Sequence, residues 1–451
     1  MTQNAKIRPR IRDSVVQALG AGVAPAQGIQ YLQVGRHKEL EAIVKDLDRI
    51  TDDGASFRLI SGEYGAGKTF LLHLARQIAL NKKIVTMHAD LSPNRRLVAS
   101  GGQARALYSE LVSSMATRSK PEGGALASII EKFVGECLHE AESAGFSPDE
   151  LIQKKLVPLH GYVGGYEITN VLQKYCLAHE VGDDTQKESA MRWLRGEYRT
   201  MTEAREAIGV RSIIDDSMLF DALKLLGHFM SIAGHAGILV IADEAVNLYK
   251  IAHTQSRQAN YEKVLQMLNS TLQGEVRNLG FMFGVTPQAV EDPRRGLFSY
   301  EALASRLRPN EFAKQTGVTD YNHPVISLPS LSPEELYQLL CNIRNVFACG
   351  DEKKYLVPDE ALEAFMNHCH SKIGAAYFKT PRETARQFVN LLSILEQHPE
   401  MPWDSMIEKI EIEQDTGDQD EVAAELYGET GGEDQPQTSD TGDDDLKSFK
   451  L

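Results

Sequence analysis

Cysteine is scarce and poorly placed for bridging. The five thiols, Cys137, Cys176, Cys341, Cys349 and Cys369, are odd in number and contain no C-x-x-C pair. A disulfide scaffold is excluded, and reduced structural thiols are expected. His368-Cys369-His370 invites a metal, but adjacent residues of a helix point in different directions, so none is expected there. Long apolar runs are also missing. No stretch reaches the roughly eighteen residues that a transmembrane helix needs. The segment Met1 to Lys6 lacks an apolar signal core, so a cytoplasmic location without membrane attachment is expected. A basic excess is absent too: the net charge is −15. From Glu411 to Leu451, however, fourteen acidic residues face two lysines, whereas the other 410 residues carry a net −3. The body is nearly neutral and the acid is a tail.

What is present begins at Ser61. Residues Gly62 to Thr69 fit G-x-x-x-x-G-K-[ST], follow the apolar run Phe57-Arg58-Leu59-Ile60, and open the helical pattern Phe70 to Ala75. A strand, a glycine loop and a helix form the context of a phosphate-binding loop. The glycines let backbone N–H groups turn onto a phosphate, and the helix N-terminus adds its positive dipole end. Gly62, Glu63, Tyr64, Gly65, Ala66, Gly67, Lys68, Thr69 and Phe70 form the candidate nucleotide-binding set. Lys68 would reach the β- and γ-phosphates, and the Thr69 hydroxyl would hold Mg²⁺.

Length suits about two or three units. Residues 1–33 read as an N-terminal arm and short helix. Lys6, Arg8, Arg10 and Arg12 alternate there, and a solvated, frayed terminus is expected. Residues 34–93 hold the loop and a second strand near Lys83–Met87. Residues 94–234 read as helices throughout, too long for a simple crossover, and hence as a helical insertion. Within it Arg192-Trp193-Leu194-Arg195-Gly196-Glu197-Tyr198-Arg199 mixes cations and aromatics. Interspersed acids favour solvated arginines around a core Trp193 over a nucleic-acid face.

Residues 235–330 return to strands. Gly237 to Glu244 reads as a buried parallel strand ending in two carboxylates. Asp243 would hold Mg²⁺ and Glu244 would polarise the attacking water. The strand Leu279–Val285 ends at Thr286, a candidate sensor of the γ-phosphate. Beyond it Arg294, Arg295, Arg306 and Arg308 are candidates to reach a neighbouring subunit's phosphates. A fifth strand is expected at Val325–Leu328. Residues 331–410 read as a helical bundle, with Ser332-Pro333 and Thr380-Pro381 as helix starts. Arg382 could reach the nucleotide across the cleft. Residues 411–451 read as a disordered acidic tail, whose Leu446, Phe449 and Leu451 tip is either a docking peptide or part of a solubilising tail.

In this order the parts resemble the AAA+ ATPases. The resemblance implies an α/β fold with a five-stranded parallel sheet, a C-terminal helical lid, and ATP held between subunits of a homo-oligomer. It also implies roles for Lys68, Glu244, Thr286, Arg306 and Arg382. Gly35 and Arg36 look like the segment that borders adenine in origin-recognition-type members. A closer likeness covers most of residues 10 to 400. It includes Tyr31 to Arg36, Gly62 to Thr69, Asp90-Leu91-Ser92-Pro93, Arg192 to Gly196, Asp243-Glu244 and Arg295 to Leu303. These are similar to the ATP-binding proteins of BREX-type bacterial antiphage defence systems. That likeness implies Mg²⁺-dependent ATP hydrolysis on or beside DNA, with a helicase or nuclease partner. The alternative is an ATP-driven assembly switch, or a scaffold or loader for a helicase, with slow turnover.

Overall fold

A computed structural model describes residues 6–373 and 381–409. The acidic tail with its apolar tip, and Thr380, lie outside the described residues. All described residues fall in one compact unit. Five strands, β1 (Ala55–Ser61), β2 (Val85–Asp90), β3 (Ile238–Asp243), β4 (Leu279–Val285) and β5 (Val325–Ser327), form one sheet. Its order is β2-β3-β4-β1-β5, and every pairing is parallel. Such a sheet needs cover on both faces, which explains why β3 and β4 are buried at every residue. Alternation along β1 sends Phe57 and Leu59 to one face and Arg58 and Ile60 to the other.

The first face packs Phe57, Val85, Met87 and Phe281 against helices that run from Gln103–Ser113 to Leu219–Ile232, with Phe133, Trp193 and Phe229 in the same core. The helices of residues 94–234 therefore share a hydrophobic core with the sheet. Trp193 is buried, and its indole N–H donates to the Ser212 carbonyl at 2.8 Å. Arg192 pairs with Glu203 at 2.7 Å and Arg195 with Glu188 at 2.9 Å. The second face packs Ile60, Ile241 and Met282 against Leu72 and Ala75 of helix Lys68–Asn81 and Ile43 and Leu47 of helix His37–Thr51. Arg58, buried on this face, is neutralised by Asp46, with its Nη2 at 3.0 Å from Oδ1.

A third core joins the stretch from Ile7 to Leu32 to helices beyond residue 330. Ile7, Val15 and Leu32 pack with Leu340, Phe347, Phe365 and Phe388 from helices Pro333–Phe347, Asp359–Ile373 and Pro381–Gln397. The first of these helices opens on a capping box. Ser332 Oγ accepts from Glu335 N at 3.2 Å, and the Glu335 carboxylate accepts from Ser332 N at 2.9 Å. The expectation of a frayed, solvated start fails for the described residues. Pro9–Gly20 is a helix, and Ile7 N donates to the Cys349 carbonyl at 3.1 Å. Arg12 donates to Glu396 at 2.6 Å and lies 4.3 Å over the Phe347 ring. The alternating cations hid a helix that starts at Pro9 and finds its partners more than 300 residues away.

No described helix is long and apolar enough to cross a membrane.

Candidate functional site

The tips of β1, β3 and β4 converge on one place. At the end of β1 the Ser61 carbonyl accepts from Leu328 N at 2.7 Å, while Gly62 N donates to the Val285 carbonyl at 3.2 Å. The chain then turns through Gly65 and Gly67, whose φ angles of 75° and 90° favour glycine. Helix Lys68–Asn81 starts with no side-chain cap, so its first amides are open to a ligand at the loop. Lys68 spans the loop, donating from Nζ to the carbonyls of Gly62 at 2.9 Å and Glu63 at 3.0 Å. Burial pushes its ammonium pKa down, against the pull of Asp243, Glu244 and Glu63. A half-buried cation held by carbonyls gains from an anion in the loop.

Thr69 donates from Oγ1 to Asp243 Oδ2 at 2.6 Å. Asp243 is buried, and its other oxygen accepts from Glu244 N at 2.9 Å. A Cβ on Gly284 of β4 would lie 2.1 Å from Asp243 Oδ1, so only glycine leaves room for this carboxylate. Glu244 takes a left-handed backbone, φ 53°, as β3 ends, and its exposed side chain faces the cavity. A threonine hydroxyl beside a carboxylate is a hard-oxygen donor set that suits Mg²⁺. Among the described residues, no group of three or more His, Cys, Asp or Glu is placed to hold a metal by itself. Cys369, between its two histidines, is buried.

The loop forms one wall of a cavity of about 390 Å³. Tyr64 to Phe70, Arg36, Glu244 and Arg382 line it, together with apolar side chains that include Leu19, Val23, Leu32 and Leu339. Arg36 has φ 59°, precedes helix His37–Thr51, and donates to the carbonyls of Pro329 and, at 3.4 Å, Ala66. Burial lowers its pKa, opposed by Glu39 and Glu335. Gly35 abuts Glu335 so closely that a Cβ would sit 2.0 Å from its Oε1. Arg382 donates to the Tyr64 hydroxyl and the Gly22 carbonyl, with its guanidinium 5.3 Å from the Tyr64 ring centroid.

Lys68, Thr69, Asp243, Glu244 and Arg382 thus come together. Gly35, Gly62 and Glu63 border the cavity through backbone or packing, without lining it. Thr286 stands at the tip of β4, where its hydroxyl accepts from Ala289 N at 3.3 Å as a helix cap. Arg306 is exposed on helix Glu301–Leu307 and donates to the Ala302 carbonyl at 2.7 Å. Arg294 and Arg308 are exposed as well, and Arg295 is half-buried near Ile251. None of these five lines the cavity. Sequence reasoning missed the wall formed by Leu19, Gly22, Val23, Ala24 and Pro25. The available signal is the glycine-rich turn at Gly20 to Gly22 followed by apolar residues, which reads from the sequence only as the end of a short helix.

A family model described as BREX system ATP-binding protein BrxC/D matches residues 7–411. No curated protein matches the chain significantly. The family match spans nearly the whole chain, which therefore belongs to the BREX system ATP-binding proteins.

Proposed function

We propose that this member of the BREX ATP-binding family is an Mg²⁺-dependent AAA+ ATPase. It would act in antiphage defence on or beside DNA, with a helicase or nuclease partner, as a cytoplasmic homo-oligomer. The observation that carries the reading is the Thr69–Asp243 contact at 2.6 Å, beside Lys68 and the exposed carboxylate of Glu244 in one cavity. The strand order, with the loop strand between β4 and β5, supports the AAA+ assignment. In this reading residues 34–93 and 235–330 are the core, 94–234 an insertion and 331–410 a lid.

The loop amides and Lys68 bind and neutralise the β- and γ-phosphates. Thr69 and Asp243 would hold Mg²⁺, which would supply positive charge to the phosphates there. Glu244 accepts a proton from water as its oxygen bonds to the γ-phosphorus and the bond to the β–γ bridging oxygen breaks, leaving ADP and phosphate. Thr286 orients the γ-phosphate, and Arg382 contacts it from the lid. Arg306 approaches the nucleotide of a neighbouring copy.

Glu244→Gln tests the chemistry. It should keep ATP bound while turnover falls about 100-fold or more. Hydrolysis at the wild-type rate would remove Glu244 from the mechanism.

A further inference from the structure

We infer that Gln33 reads the N6/N7 edge of the adenine of bound ATP. The inference rests on the ATP reading above and goes beyond it to the residue that selects the base. The cavity has two ends. Lys68, Thr69 and Glu244 make the end suited to phosphates, and the rest is largely apolar, as a purine ring requires. Among the described residues lining the cavity, Gln33 alone bears a carboxamide. Its side chain is half-buried and makes no hydrogen bond among the described residues.

The backbone of Gln33 is fixed. Its carbonyl accepts from Asn342 Nδ2 at 3.2 Å, and both flanking residues, Leu32 and Val34, pack into the core of the C-terminal helices. An amide that is half out of water, held in place and unpaired is poised for a ligand with complementary groups. Adenine offers the amino donor N6 beside the acceptor N7, which matches the carbonyl and amino groups of a carboxamide. Guanine offers two acceptors on the same edge, O6 and N7, and leaves the carboxamide carbonyl facing an oxygen. Charged Arg36 and Arg382 lack an acceptor and cannot make this distinction.

Isothermal titration of the full chain with ATP, 7-deaza-ATP and GTP tests the inference. Wild type should prefer ATP to 7-deaza-ATP, which lacks the N7 acceptor, and to GTP, by about tenfold each. Gln33→Leu should reduce the preference for ATP over 7-deaza-ATP to about one and shrink that over GTP. Gln33→Glu, nearly isosteric, should do the same for 7-deaza-ATP, because a carboxylate has no proton to donate to N7. It also serves if Gln33→Leu does not fold. Persistence of the wild-type preference for ATP over 7-deaza-ATP in a folded variant overturns the inference, as does wild type that binds the two equally. Wild type that binds no nucleotide, or Lys68→Ala that binds as wild type does, overturns the ATP reading itself.

Discussion

The cavity is built differently at its two ends. At the phosphate-loop end the walls are strand tips and tight turns, where single atoms decide the geometry: Thr69 Oγ1, the Asp243 oxygens, the missing Cβ of Gly284. At the other end the walls are side chains from the first 34 residues and from helices beyond residue 330, joined by a shared apolar core and a few hydrogen bonds such as Asn342 to the Gln33 carbonyl. The first end tolerates no added atom, because strands fix the backbone on both sides. The second tolerates removed atoms poorly, because most of what closes it is packing. Opposite kinds of substitution should therefore break the two ends.

The largest effect is expected at Lys68. Lys68→Ala removes the half-buried cation and should weaken ATP about 100-fold, from the loss of charge-assisted hydrogen bonds. The thermal midpoint without nucleotide should barely move, and a large drop would make Lys68 a structural residue. Next comes Leu32, 1% exposed. Leu32→Ala should cost about 2–5 kcal/mol in urea unfolding, with a several-fold effect on ATP affinity. Equal damage to affinity and stability would erase the contrast between the ends. Gly284→Ala should cost about 1–3 kcal/mol of stability while ATPase activity falls sharply, because the new Cβ meets Asp243 before anything else. Normal turnover in that variant would show that the carboxylate can move. Arg12→Ala, which frees Glu396 near the surface, should cost about 0.5–1 kcal/mol, read as a small fall in the urea midpoint.

The smallest effect concerns pH. Burial lowers the pKa of His73, helped by His88 and Arg76 and opposed by Asp243 and the Pro25 backbone. The unfolded chain then binds this proton more readily than the fold does. Stability should fall as pH drops through the unfolded value of 6.5 and be restored above it. The urea midpoint at pH 5.5 against 7.5 measures this, and His73→Gln should narrow the gap. An unchanged gap would assign it to His228 and His235, whose pKa values burial also lowers.

The two ends also differ in how well the sequence announces them. Strands β3 and β4 were legible because residues buried on both faces read as nearly unbroken apolar runs, and Asp243-Glu244 followed one such run directly. The glycine loop was legible because its backbone needs are local. The apolar wall was not. Leu32 carries no local mark that it shares a core with Leu339, and the turn at Gly20 to Gly22 reads only as the end of a short helix. Arg382 lines the cavity, and its contacts with Tyr64 and Gly22 could not be read from spacing. Thr286 shows the opposite limit. Its place at a strand tip was legible, but the turn of its hydroxyl into a helix cap depends on the next three residues' backbone.

The position of β1 between β4 and β5 has a consequence for how the chain is made. The glycine loop after β1 is made before either neighbour of its strand, since both lie more than 200 residues downstream. At about 5–20 residues per second, β1 waits roughly ten to forty-five seconds for β4. The helix Pro9–Gly20 waits longer still, for Pro381–Gln397. A nascent chain therefore carries the glycine loop before the helices beyond residue 330 that wall the cavity have been made.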